Sequence, residues 1–96
     1  MSEPIIIDPK GLAVIKTEYV EVEGVGTFAY GRLTVRDLSE IRKIEDEIEQ
    51  SYQIVHRMLA RANPELTIEE IGDWDPHVFK RVFERLIEVS DFRGTN

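Results

Sequence analysis

Ninety-six residues with 42 % hydrophobic content, no cysteine, and 19 acids against 12 bases (net charge −7) set the bounds. They allow one domain with one two-layer core and exclude general disorder, disulfides, thiolate metal centres and cysteine nucleophiles. The acidic balance speaks against nucleic acid, whose affinity is dominated by phosphate contacts.

No apolar run approaches the ~18 residues of a membrane span. The PIII run near the start lacks the positive flank of a signal peptide, so a cytoplasmic protein with no membrane partner is expected. Abundant Ile, Glu and Arg with few Asn or Gln is the balance of a thermophile protein.

Residues 1–11 form a lead segment in which Ile5, Ile6 and Ile7 stand between Pro4 and Pro9. Three β-branched residues favour extended backbone, and the prolines restrict it to the edge of a sheet. It reads as an edge strand on this domain or as an arm that pairs with a neighbouring subunit. The single domain over 12–96 follows. Residues 12–33 predict a β-hairpin with its turn at Glu23-Gly24-Val25-Gly26 and with Phe28 and Tyr30 on one face. The alternation slips between Glu18 and Val20, which predicts a bulge or twist. Ile15, Val22 and Phe28 are expected to seat the hairpin on the helix that comes next.

Thr34 to Ala62 contains no Pro or Gly in 29 residues. Leu38, Ile41, Ile44 or Glu45, Ile48, Tyr52, Val55, Leu59 and Ala62 recur at spacings of three and four. This predicts one long amphipathic helix over 35–62, entered through a capping box of Thr34 and Asp37 and closed by Pro64. At ~1.5 Å per residue it would run near ~40 Å, as long as the whole domain, so one end projects or a neighbour covers it. Thr67 and Glu70 make a second capping box before a short helix over 68–71 that ends at Gly72. Asp75-Pro76 then starts a helix over 76–90, whose stripe of Val78, Phe79, Val82, Phe83, Leu86, Ile87 and Val89 makes it the more apolar of the two. The expected fold is α+β: an N-terminal hairpin, with a short edge strand as an option, packed on two main α-helices joined by a short helical turn.

Nothing in the chain spells out a reaction. Gly24 and Gly26 lack the spacing of a phosphate loop. Asp73, Asp75 and His77 could ligate a metal or serve a small ligand-binding site or enzyme, but Asp75 is already needed as a helix cap. His56 reads as a surface or boundary residue, and the acidic block Glu45–Glu49 as a solvated face or a docking surface for a basic partner. Trp74 either docks a loop on the core or anchors an interface. The reading is a non-catalytic protein that binds protein, with no cofactor and no metal. Ile5, Ile6, Ile7, Trp74, Val55 and Leu59 are its candidate partner-binding residues, and it is expected to be a homo-oligomer.

The stretch GRLTVRDLSEI, followed by PELTIEEIGDWDPHVFKRVFERLIEVSDF, resembles the tail assembly chaperones of long-tailed bacteriophages. Leu33-Thr34-Val35-Arg36-Asp37-Leu38 and Leu66-Thr67-Ile68-Glu69-Glu70-Ile71 carry the resemblance, in a layout that covers roughly residues 12 to 92. The PIII arm departs from it. The resemblance implies a small acidic phage or prophage protein without catalytic residues. It also implies self-association and binding to the tape-measure protein during tail assembly, in the host cytoplasm.

Overall fold

The computed structural model describes residues 16–90, which form two strands and four helices. Strands β1 (Thr17–Val22) and β2 (Gly26–Gly31) pair antiparallel, with Val20 opposite Phe28 and Val22 opposite Gly26. Helix α1 spans Val35–Arg42, α2 Glu47–Ala60, α3 Ile68–Gly72 and α4 Pro76–Ser90. The fold is α+β, a hairpin followed by helices.

Strand alternation decides what the hairpin buries. Val20, Val22 and Tyr30 are buried on its inner face beside half-buried Phe28, and α2 and α4 cover that face with Ile54, Val55, Met58, Leu59, Val82 and Leu86. Helix α2 lies against β2 and α4 against β1, while Ile71 of α3 seals the end of the core. Tyr52 meets Phe79 edge-on at 5.2 Å between ring centroids, and Phe79 stacks on Phe83 at 6.1 Å, tying α2 to α4. The hairpin turn passes under Arg81. Gly24 has φ +78°, a left-handed backbone that calls for glycine, and a Cβ there would displace only the mobile end of Arg81, 2.7 Å away.

The strand register is continuous, and the bulge expected between Glu18 and Val20 does not form. The apparent slip reflects a charged residue on the inner face and an aromatic one on the outer. In the structure Glu18 takes the inner face and Tyr19 the outer. Tyr30 Oη donates to Glu18 Oε1 (3.0 Å) and Arg32 Nε to Oε2 (2.9 Å), so the inward carboxylate is satisfied. Phe28 and Tyr30 share the inner face as expected and Val22 is in the core. Ile15 and the lead segment lie outside the described residues.

The larger correction concerns the long helix. It is two helices, broken at residues 43–46 and folded back antiparallel. Asp37 meets Arg61 and Arg57, Glu40 meets Arg57, and the Ile41 and Ile44 carbonyls meet Gln50. In one straight helix Asp37 and Arg57 would stand about 30 Å apart. No breaker residue marks the elbow. Instead Asp46 leaves helical geometry (φ −80°, ψ 120°) and caps α2 by accepting the Ile48 N–H at 2.9 Å, while Gln50 Nε2 donates to the Ile44 carbonyl at 2.6 Å. With the stretch folded in two, no ~40 Å rod is left to project from the domain or to need a cover.

Candidate interaction surface

The candidate partner residues do not form one surface. Val55 and Leu59 are 0 % and 2 % exposed and belong to the core, a correction that follows from the elbow: once α2 folds back under the hairpin, this part of its apolar stripe is taken up inside the domain. Trp74 is half-buried and packs against the same core. Ile5, Ile6 and Ile7 lie outside the described residues.

The GDWDPH region is built from helix ends. Asp73 is the C-cap of α3, its N–H reaching the Glu70 and Ile71 carbonyls. Asp75 opens α4, accepting the His77 N–H on Oδ1 at 2.8 Å, while its carbonyl accepts from Phe79 N–H at 2.9 Å. These bonds commit Asp75 Oδ1 and its carbonyl to the first turn of α4, and Asp75 and His77 are both exposed. Among the described residues no three His, Asp or Glu side chains gather as a metal site would require. His56, half-buried on α2, pairs its Nε2 with the Leu66 carbonyl at 3.0 Å and so ties the loop before α3 to α2.

One element of the acidic block Glu45–Glu49 has a structural task, since Asp46 is the α2 cap; Glu45, Glu47 and Ile48 are exposed around it. A shallow cleft of about 600 Å³ runs between the hairpin turn and α4, past Gly24, Arg81 and Arg85. Its cations are engaged. Arg85 Nε donates to the Glu21 carbonyl (3.0 Å) and its Nη1 to Glu88 (3.0 Å), and Arg81 reaches the Glu23 carbonyl at 3.5 Å. Acids and bases alternate along it, unlike the convergent polar groups of a small-molecule site.

The surface that stands out is the far side of the hairpin. Tyr19 is 73 % exposed there, directly opposite Ala29 and flanked by Thr17, Glu21, Thr27 and Gly31. Thr17, Glu21 and Thr27 are exposed with it, while Ala29 is half-buried and Gly31 is buried at the end of this face. The Glu21 carbonyl turns outward to Arg85, so by strand alternation the N–H and C=O of Tyr19 face the same outer edge. No described strand pairs with that edge. Across the sheet, the outward carbonyl of Ala29 accepts from Asn63 Nδ2 at 3.1 Å. Each edge thus has one carbonyl tied to a side chain from the helical layer. Sequence patterning pointed at the apolar helix stripe instead; the available signal was Tyr19, the one aromatic out of phase with Val20 and Val22.

The most ordered electrostatic feature is the clasp between α1 and α2. The Asp37 side chain is 8 % exposed, and its Oδ2 accepts from the Thr34 N–H (2.8 Å) and Arg61 Nη2 (2.6 Å), its Oδ1 from Arg57 Nη1 (3.1 Å). Burial pushes its carboxyl pKa up, but the Thr34 backbone and hydroxyl, Arg57 and Arg61 together outweigh that and hold it below the ordinary value. Glu40 takes the same Arg57 Nη1 at 2.6 Å and, ahead of the opposing effect of burial, keeps that guanidinium charged. Glu18 is likewise held below the usual carboxylate range, by its bonds from Arg32 and Tyr30.

Comparison of the chain with protein-family models, curated proteins and solved structures finds no match. No helix among the described residues is long and apolar enough to cross a membrane.

Proposed function

We propose that the protein is a non-catalytic interaction protein, of the kind its sequence resembles: a phage or prophage tail assembly chaperone that associates with itself and binds a tape-measure protein. The observation that carries the reading is the half-covered hairpin. One face is packed on helices, while the other presents Tyr19 beside a strand edge that no described strand occupies. Open edges recruit extended segments of other chains through backbone hydrogen bonds, and an exposed aromatic beside one supplies the anchor. Both sequence stretches behind the resemblance are capping boxes here, at Thr34–Asp37 and Thr67–Glu70, so they set where α1 and α3 start. Their role in the resemblance is architectural.

The test is co-expression of the full chain with the tape-measure protein encoded nearest to it. The reading expects the long partner to stay soluble and to co-purify with several copies of this chain, and Tyr19→Glu to abolish this without unfolding the domain. A partner that is equally insoluble with and without the chain would overturn it. So would binding that Tyr19→Glu leaves unchanged, because the hairpin face would then not be the surface used.

A further inference from the structure

The bent segment Val35–Ala60 has a second use. We propose that the elbow at residues 43–46 is a hinge that opens into one continuous helix. In that form two copies of the chain exchange their hairpin-plus-α1 halves and make a domain-swapped dimer. The proposal deepens the self-association in the proposed function by naming its hinge and its partner, a second copy.

The sequence across the elbow is helix-competent throughout. Thr34 to Ala62 holds neither Gly nor Pro over 29 residues. Lys43 keeps helical backbone (φ −76°, ψ −12°), whereas Asp46 departs from it with ψ 120°. The bonds that hold the bend are stand-ins for helical ones. In a continuous helix the Ile48 N–H would donate to the Ile44 carbonyl. In the bent form those same two groups are satisfied separately, by Asp46 Oδ1 at 2.9 Å and by Gln50 Nε2 at 2.6 Å. Opening the elbow replaces these two bonds, and the longer one from Gln50 Nε2 to the Ile41 carbonyl at 3.4 Å, with helical backbone bonds and leaves no backbone group stranded.

What a lone chain cannot do is open and keep its core. Straightening carries Asp37 about 30 Å from Arg57 and about 36 Å from Arg61, and lifts Val20, Val22 and Tyr30 off α2 and α4. The opened lone chain loses this ion-paired clasp and leaves the apolar face of the hairpin in water. A second copy, opened the same way, supplies every lost partner: its Arg57 and Arg61 meet Asp37, its α2 and α4 receive the hairpin, and the two-fold makes the exchange reciprocal. The occupant is thus dictated by the contacts themselves.

One more residue fits the open form better than the bent one. Ile41, Ile44, Ile48, Tyr52 and Val55 lie in one stripe at spacings of three and four. In the bent chain Ile41 and Val55 are buried, while Ile48 between them is 66 % exposed. In a swapped dimer the two straightened hinges cross at the two-fold, and Ile44 and Ile48 of each chain bury one another there. Short hinge loops are where such swaps arise.

Two substitutions of the full chain separate the forms. Glu47 is the first residue of α2, a position that suits proline, and the preceding Asp46 already has the extended backbone that proline requires. Proline at 47 fits the bend and forbids the straight helix, where it would lose its helical N–H bond and clash with the carbonyl four residues back. Asp46→Ala removes the cap that only the bent form uses. Each protein is refolded at low and at near-millimolar concentration and its mass measured by light scattering, with circular dichroism confirming the fold. Wild type is expected to give a dimer at high concentration that dissociates slowly on dilution. Asp46→Ala should raise the dimerisation constant about tenfold or more, since the cap is lost from two bent chains. Glu47→Pro should be a folded monomer throughout. A dimer that persists in Glu47→Pro would overturn the swap while leaving self-association through the hairpin standing. Monomers in wild type and Asp46→Ala at every concentration would also overturn it, whatever the outcome of the tape-measure experiment.

Discussion

The hairpin and helix α1 are held to the same helical layer by opposite means. The hairpin is seated by an apolar face: Val20, Val22 and Tyr30 are each 2 to 3 % exposed against α2 and α4. Helix α1 is short and polar, with Val35 left 83 % exposed and Ile41 as its buried apolar residue; its clasp to α2 is Asp37 and Glu40 on Arg57 and Arg61. The difference matters because the two kinds of contact fail differently. Apolar burial is non-directional and indifferent to pH, whereas a buried carboxylate between two arginines is directional, titrates, and leaves a penalty when one partner goes.

Breaking the apolar side should give the largest effect. Tyr30→Ala empties a core aromatic site and is expected to cost about 3 to 5 kcal/mol in denaturant unfolding. Tyr30→Phe, which removes just the hydroxyl on Glu18, should cost about 0.5 to 1.5 kcal/mol. If the two substitutions cost the same, the hairpin would be held by its hydrogen bond and the comparison would collapse.

The clasp comes next. Asp37→Asn should cost about 1.5 to 3 kcal/mol, the range for hydrogen bonds to charged groups. That is below the cost of breaking a fully buried pair, because Arg57 and Arg61 each keep about a quarter of their side-chain surface in solvent. The pH dependence follows from the lowered Asp37 pKa. Its contribution is fully present above the ordinary carboxylate value of about 3.9 and is lost as pH falls through the depressed folded value. Wild type should therefore lose stability on acidification through this window, with a smaller exposed contribution of the same sign from Glu18. Asp37→Asn should flatten the curve there, and an unchanged acid limb would remove Asp37 from the account.

Smaller still are the caps. Asp75→Ala should lower stability by roughly 0.5 to 2 kcal/mol, and added zinc or calcium should leave the melting temperature where it is. A metal-dependent rise would return Asp75 and His77 to the role of ligands. At the bottom of the range, Tyr19→Ala should change stability by no more than about 0.5 kcal/mol, as exposed positions do. A large loss would mean that Tyr19 is buried against something in solution.

The same contrast explains how much could be read from the residues. Elements fixed by local chemistry were legible: the Thr34 and Thr67 capping boxes, the Asp75-Pro76 start of α4, the glycine turn at 24–26, and the period of α4 that buries Val82 and Leu86. The elbow was not, because Lys43, Ile44, Glu45 and Asp46 would all tolerate a helix. What bends the chain is a set of contacts between residues 17 to 24 apart in sequence, Glu40 with Arg57 and Asp37 with Arg57 and Arg61, and spacing along one stripe does not reveal them. The faint trace was Asp46 followed by Glu47 and Glu49, a cap and acidic first turn in the middle of an apparent helix. For the surface, patterning favoured Val55 and Leu59 because a straight helix would have exposed them. Once the helix folds back they become core, and Tyr19 is left outside.

The central claim is that charge folds α1 back on α2, and a distance across the elbow tests it most directly. The chain has no cysteine, so Arg36→Cys with Ala60→Cys gives two unique labelling sites. Spin labels would be measured in dilute monomer mixed with excess unlabelled protein. A clasped elbow predicts a separation below about 20 Å, two helix axes at about 8 to 10 Å plus the reach of the labels, lengthening when Asp37→Asn is added. A dominant separation near 36 Å, the span of a straight helix between those positions, would contradict it.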